Sequence, residues 1–120
     1  MLKVAFQGEP GAYSQAAAVS FFKESIETIP YPTFYEALGS TENGKTDCTI
    51  LPVENSLEGS VGESYDLLLT TKLNVVGETY HRISHCLIGL EKLEKIDTVY
   101  SHPQALGQCR KFIQENHLKP

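Results

Sequence analysis

The sequence predicts an α/β protein, a mostly parallel sheet with helices on both faces, arranged as two lobes of which the second is incomplete. Three observations predict it. Strand-like and helix-like runs alternate β-α-β-α-β-α over residues 2 to 71, the order that a parallel sheet covered by helices requires. A β-rich run ends three times in a polar turn punctuated by glycine or proline and passes into a helix-like run: Val4-Ala5-Phe6 into Gly8 to Ser14, Thr49 to Val53 into Glu54 to Ser60, and Thr98-Val99-Tyr100 into Ser101 to Gln104. The alternation then stops at Leu118-Lys119-Pro120, where it calls for another strand.

Taken in order, a strand is expected over 2–6 and a helix over 14–25. That helix carries Ala16, Ala17, Ala18, Val19, Phe21 and Phe22, too many apolar positions for an exposed helix, and Gly8 and Gly11 permit the tight turn before it. A strand over 26–31 ends between Pro30 and Pro32, and Thr33 is the expected N-cap of a helix over 33–42, with Glu36 at the capping-box position. A strand over 47–53 and a helix over 60–71 follow, with Ser60 placed to cap it. From Asn74 to Leu90 the composition is β-branched and strand-like with no helix inside, which reads as a crossing segment into the second lobe. The first lobe is therefore expected over 1–74 and the start of the second over 75–120. A strand over 97–100 and a helix from Pro103 to about His117 complete the chain, with proline in the first-turn position where it is tolerated.

At 120 residues and 41% hydrophobic, the chain can close one core or a pair of small lobes. The net charge is −5, with ten Lys and Arg spread singly, so the footprint of nucleic-acid binding is missing. No apolar stretch approaches the ~20 residues that a membrane span needs, and the first strand pattern begins at Leu2 without a signal or transit segment before it, so no membrane partner and a cytoplasmic location are expected. Cys48, Cys86 and Cys109 are odd in number, widely spaced and set in apolar or helical patterns, which reads as buried thiols rather than a disulfide framework.

Two motifs fit by letters and fail by context. Gly39-Ser40-Thr41-Glu42-Asn43-Gly44-Lys45-Thr46 matches the phosphate-loop pattern, but that motif needs a strand before it and a helix N-terminus after it. Here a helix end precedes and a strand follows, so Gly39 and Gly44 read as a helix cap and an αβ loop. His81 and His85, with Cys86 adjacent, suggest a metal, yet in a strand they stand about 13 Å apart, too far for one ion without a bend. No metal and no cofactor are expected.

Ligands of open α/β sheets bind at the carboxyl ends of strands, where helix N-termini offer N–H groups to anions, so the three turns read as a site for a small anionic molecule. Their residues are Gly8-Glu9-Pro10-Gly11-Ala12-Tyr13-Ser14-Gln15-Ala16-Ala17, Leu51-Pro52-Val53-Glu54-Asn55-Ser56-Leu57-Glu58-Gly59-Ser60-Val61 and Tyr100-Ser101-His102-Pro103-Gln104-Ala105-Leu106-Gly107-Gln108-Cys109. In this order and spacing they closely resemble the prephenate dehydratase family. The resemblance implies a two-lobed α/β catalytic domain similar to periplasmic binding proteins of type II. It also implies loss of water and carbon dioxide from prephenate to give phenylpyruvate on the route to phenylalanine, without metal, nucleotide or flavin. Such a reaction needs a proton donor at the leaving oxygen while aromatisation and decarboxylation drive it. Carried over by position, Asn55, Ser101 and Gln108 are the residues at the reacting substrate. Ser14, Glu54, Ser56, Gly59, His102 and Gln104 are further substrate-side residues. Ser14 and Ser60 read equally well as helix N-caps, and His102 reads as an acid or as a structural turn beside Pro103.

The family's Thr-Arg motif, with its general acid beside a carboxylate-binding cation, has no counterpart: the chain's arginines are Arg82 and Arg110. The expectation is a C-terminally truncated catalytic domain, inactive alone, from a homo-oligomeric enzyme. Arogenate dehydratase, with an amino group in place of the side-chain keto group, and a non-catalytic small-anion binding module of the same fold are the competing readings.

Overall fold

The computed structural model describes residues 1–56 and 59–120; Leu57 and Glu58, both in the second motif, lie outside the described residues. The chain forms two compact units, one of residues 1–55 with 60–82 and one of residues 56–59 with 83–120.

In the first unit, β1 (Leu2–Gln7) pairs in parallel with β2 (Ile26–Tyr31) on one side and with β3 (Cys48–Thr49) on the other, giving the order β2-β1-β3. The β1–β2 register runs from Leu2 opposite Ile26 to Gln7 opposite Tyr31. Two further bonds flank β3, from the Asp47 N–H to the Lys3 carbonyl at 2.9 Å and from the Ile50 N–H to the Ala5 carbonyl at 3.0 Å. The expected strand over 47–53 is therefore shorter, because Leu51-Pro52-Val53 leaves the ladder and Pro52 has no N–H to give it. Val4, Ala5 and Phe6 are all fully buried. Successive strand residues point to opposite faces, so both faces of β1 are covered, which a central parallel strand requires. Burying Val4 and Phe6 contributes roughly 1.5–3 kcal/mol each.

The coverage comes from α1 (Tyr13–Phe21) and α2 (Phe34–Glu42), which connect β1 to β2 and β2 to β3. The second connection steps back across β1, so two right-handed crossovers send the helices to opposite faces. Ala17 and Ala18 are buried on α1 and let it approach the sheet closely. The helix ends at Phe21, earlier than expected, because Phe22 takes an extended conformation that feeds β2 and packs edge-on against Phe21. Thr33 caps α2 as expected, its Oγ1 accepting from the Glu36 N–H at 3.1 Å. Gly39 lies inside α2 and does not cap it; Asn43 is the C-cap, and Gly44, with φ +79°, takes the left-handed position after it. The Lys45 and Thr46 N–H groups both donate to the Ser40 carbonyl. The amides of the phosphate-loop look-alike thus close the end of α2.

Glu54–Asn55 (β4) and Gly59–Ser60 (β5) form a two-stranded sheet, and α3 (Gly62–Thr70) follows. The expected cap at Ser60 is not formed. The helix starts two residues later with Val61 as N-cap and no side-chain bond there, because the Ser60 hydroxyl goes to Glu54 instead. The crossing strand expected over 74–90 is also not formed: the segment has neither helix nor strand assignment, and no backbone hydrogen bond joins it to another described residue. Its β-branched residues favour a pleated, half-buried surface, but a strand exists only where a partner supplies the ladder.

In the second unit, a 3₁₀ turn at Leu93–Lys95 precedes a single parallel bridge between Thr98 and Lys119, in place of the expected strand over 97–100. The expected helix over 103–117 is two short ones, α4 (Pro103–Gln108) and α5 (Arg110–Glu115), broken at Cys109. Ile113 and Leu118 are buried, and His117 adopts φ 56° just after α5, a helix-ending position that His tolerates better than most residues. Cys86 is exposed, contrary to the expected buried thiol, since its segment lacks a sheet to pack on; Cys48 and Cys109 are half-buried, and all three are free. No helix of the described residues is long and apolar enough to cross a membrane.

Candidate functional site

A parallel sheet of order β2-β1-β3 reverses direction of growth between β1 and β3, and the carboxyl ends of those two strands flank the switch point where open sheets take ligands. The first motif leaves β1 there and the second leaves β3.

The first loop owes its shape to glycine. Gly8 has φ +128° and donates its N–H to the Tyr31 carbonyl at 2.9 Å, while Gly11 has φ +98°. A Cβ on Gly8 would lie 3.3 Å from Ala12 Cβ. The Ala12 N–H closes the turn onto the Glu9 carbonyl at 3.1 Å. Ser14 is the second residue of α1 and not its N-cap, which is Ala12 without a side-chain bond. The N-terminal groups are served by Gln15: its Oε1 accepts from the Gly11 N–H at 2.7 Å and its Nε2 donates to Thr28 Oγ1 at 3.0 Å. That amide ties loop, helix and β2 together.

In the second loop the Val61 N–H donates to the Val53 carbonyl at 2.9 Å. The Glu54 carboxylate accepts from the Ser60 hydroxyl at 3.0 Å and the Tyr65 hydroxyl at 2.7 Å. The hydrogen bond to Glu54, with some burial and the carboxylate's charge, pushes the Tyr65 phenol above its ordinary range. Glu54 is thereby engaged in holding the turn to α3. Asn55 is half-buried on β4, Ser56 is exposed, and Gly59 takes φ +82°.

The third turn belongs to the second unit. Pro103 occupies the first turn of α4, and His102 caps the helix through Nδ1, which accepts from the Gln104 N–H at 3.1 Å. Nδ1 is therefore unprotonated in this arrangement, and only Nε2 can carry the ring proton. Ser101 and Gln104 are exposed. Gln108, the last residue of α4, is half-buried, with Oε1 hydrogen-bonded to His85 Nε2.

The supporting roles of Gln15, Tyr65 and His85 escape the sequence reading, which has Gln15 only as a member of the first motif and His85 only as a metal candidate. Gln15 had a signal, since a Gln at the third helical position can reach back to the residues before the helix. A recess of about 620 Å³ lies between α2 and α3, lined by Tyr31, Tyr35, Asn43, Lys45 and Thr71 among others, and includes no residue of the three motifs that carry the family resemblance. Among the described residues no group of three His, Cys, Asp or Glu side chains is placed to hold a metal ion.

A βαβαβ sheet with glycine-shaped loops at the carboxyl ends of its switch-point strands defines the class: an α/β domain around a parallel sheet. The chain belongs to the prephenate dehydratase family, whose model, described as prephenate dehydratase, matches residues 4–120. It is 44% identical over 110 residues to arogenate dehydratase/prephenate dehydratase 1, chloroplastic, of Arabidopsis thaliana, covering 90% of this chain and 28% of that protein. It is 40% identical over 115 residues to a bifunctional chorismate mutase/prephenate dehydratase of Buchnera aphidicola subsp. Schizaphis graminum, covering 92% of this chain and 30% of that protein. The chain thus spans under a third of the length of these relatives. Among solved structures, prephenate dehydratase from Streptococcus mutans aligns with TM-score 0.55 and 32% identity, covering 60% of this chain and 38% of that one. GqqA, described as a novel type of quorum quenching acylase, aligns with TM-score 0.80 and 36% identity over 98% of this chain and 44% of its own.

Proposed function

We propose that this chain contributes the substrate-positioning loops of a prephenate dehydratase. One observation carries the reading: the first two family motifs lie at the carboxyl ends of the adjacent strands β1 and β3, in a chain whose family match runs from residue 4 to residue 120. In the reaction the ring C–O bond breaks and the hydroxyl leaves as water with an added proton. The bond to the ring carboxylate breaks to release carbon dioxide, and its electron pair completes the aromatic ring. Asn55, Ser101 and Gln108 contact the substrate in this reading, and Ser14, Ser56, Gly59 and Gln104 shape the turns around it. Glu54 and His102 act one step back, through Ser60, Tyr65 and the first turn of α4.

Arogenate fits the comparisons as well as prephenate does, since relatives carry either name. A second reading, acylase activity, is favoured by the alignment with GqqA over nearly the whole chain. The test is to assay the 120-residue chain and the full encoded polypeptide for phenylpyruvate from prephenate, phenylalanine from arogenate and hydrolysis of an acyl amide. The proposal expects dehydration by the full polypeptide and none by the chain alone, which has no Thr-Arg pair. Acyl-amide hydrolysis without dehydration would replace it.

A further inference from the structure

We infer that His85 is a positioning residue that fixes which face Gln108 presents to the ligand. The proposal rests on the dehydratase reading for what that ligand is, but not for the lock itself. A glutamine amide has two ends of opposite character, an oxygen that accepts and an NH₂ that donates, and rotation by half a turn exchanges them. Here Gln108, half-buried at the end of α4, has Oε1 on His85 Nε2, at 2.5 Å. A carbonyl oxygen has no proton to give, so the ring nitrogen must donate, and the ring carries its proton at Nε2. The amide NH₂ is then the end left to face outward.

That arrangement offers two N–H donors to a ligand oxygen. A carboxylate, a keto oxygen or a departing hydroxyl accepts from them, and an ammonium cannot. If the ring proton moved to Nδ1, Nε2 would become an acceptor, the amide would turn, and Gln108 would show its oxygen to the ligand. The protonation site of an exposed histidine thus sets the sign of a contact made by a different residue. Neither residue type alone predicts this, and His85 lies 23 positions before Gln108.

Two measurements test the proposal on different footings. The first is ¹⁵N NMR of the ring nitrogens in the 120-residue chain at a pH where His85 is neutral, which reads the tautomer directly and needs no activity. The Nε2–H form is expected, and an Nδ1–H form overturns the lock. The second is a double-mutant cycle in the full encoded polypeptide. His85→Ala is expected to lower kcat/KM roughly tenfold, the scale of one aligned hydrogen bond. His85→Asn, whose amide can still donate, should restore most of that. In a Gln108→Ala background, His85→Ala should cost nothing further. Equal losses from His85→Ala with and without Gln108 would mean that the histidine acts elsewhere, and would overturn the positioning role. A full polypeptide inactive on both prephenate and arogenate would instead remove the dehydratase reading, leaving the tautomer measurement to decide the lock.

Discussion

Gln15→Ala isolates the brace beneath the first motif. The side chain makes two bonds, accepting from the Gly11 N–H at 2.7 Å and donating to Thr28 Oγ1 at 3.0 Å. Each intramolecular hydrogen bond contributes a net of about 1 kcal/mol. The Gly11 end is exposed and regains water, whereas the Thr28 end is part-buried and regains less, so the expected loss is about 1–2 kcal/mol. For a domain of this size that lowers Tm by roughly 3–8 °C. The control is Gln15→Glu. A carboxylate still accepts from Gly11, the Thr28 hydroxyl can reverse and donate to it, and a negative charge in the first turn suits the helix dipole. Its Tm should match or exceed that of the parent. Thermal unfolding followed by circular dichroism at 222 nm checks both. A Gln15→Ala protein within about 1 °C of the parent, or a Gln15→Glu protein as unstable as Gln15→Ala, would refute the brace.

In the full encoded polypeptide Asn55→Ala should reduce phenylpyruvate formation roughly 10²-fold, the scale of losing a preorganised donor, with Ser101→Ala in the same direction; unchanged turnover removes the assignment. Glu54→Gln should bring the Tyr65 phenol down toward its ordinary range, seen as an earlier tyrosinate absorbance that is absent in Tyr65→Phe. The sign follows from the raised value: the Glu54–Tyr65 bond supports the fold fully below the phenol's unfolded pKa near 10 and loses that support as pH rises through the higher folded value. Val76, Tyr80, Ile88 and Leu90 stand almost fully exposed on a segment without a ladder, so the 120-residue chain should self-associate. Light scattering should give a mass above 13.3 kDa, reduced by Val76→Lys with Ile88→Lys, and a monomer at all concentrations would contradict it.

The parallel sheet and its two helices were legible because each of their signals is local. Val4-Ala5-Phe6 is a buried strand, and Thr33 with Glu36 is a helix start, whether or not the rest of the chain is known. The failures share the opposite property. Ser14 and Ser60 are good capping residues by type, but Gln15 takes the Gly11 N–H and Glu54 takes the Ser60 hydroxyl, which only geometry shows. The run over 74–90 has strand composition, yet composition fixes a preference and not a partner. The break at Cys109 follows a glycine at 107 that the helical pattern around it concealed. In the candidate site, the motifs announced Asn55, His102 and Gln108. Gln15 carried a residue-type signal only for its bond to Gly11, while its bond to Thr28 and the roles of Tyr65 and His85 are set by neighbours distant in sequence.

The hydroxyls of Ser40, Thr41, Thr46 and Thr49 cluster where the end of α2 meets β3. Ser40 and Thr49 both reach the Ala37 carbonyl, and Ser40–Thr46, Thr46–Thr41 and Thr41–Thr49 are each within 2.8 Å. These oxygens define five links and own four hydroxyl protons. At any instant one link is two lone pairs facing each other. The vacancy can sit in several places, so the cluster is a set of interchanging proton arrangements over one heavy-atom geometry. A segment whose letters suggest a cradle for a triphosphate is thus tied by its hydroxyls to Ala37 and Thr49, with one heavy-atom geometry carrying several arrangements of hydrogens.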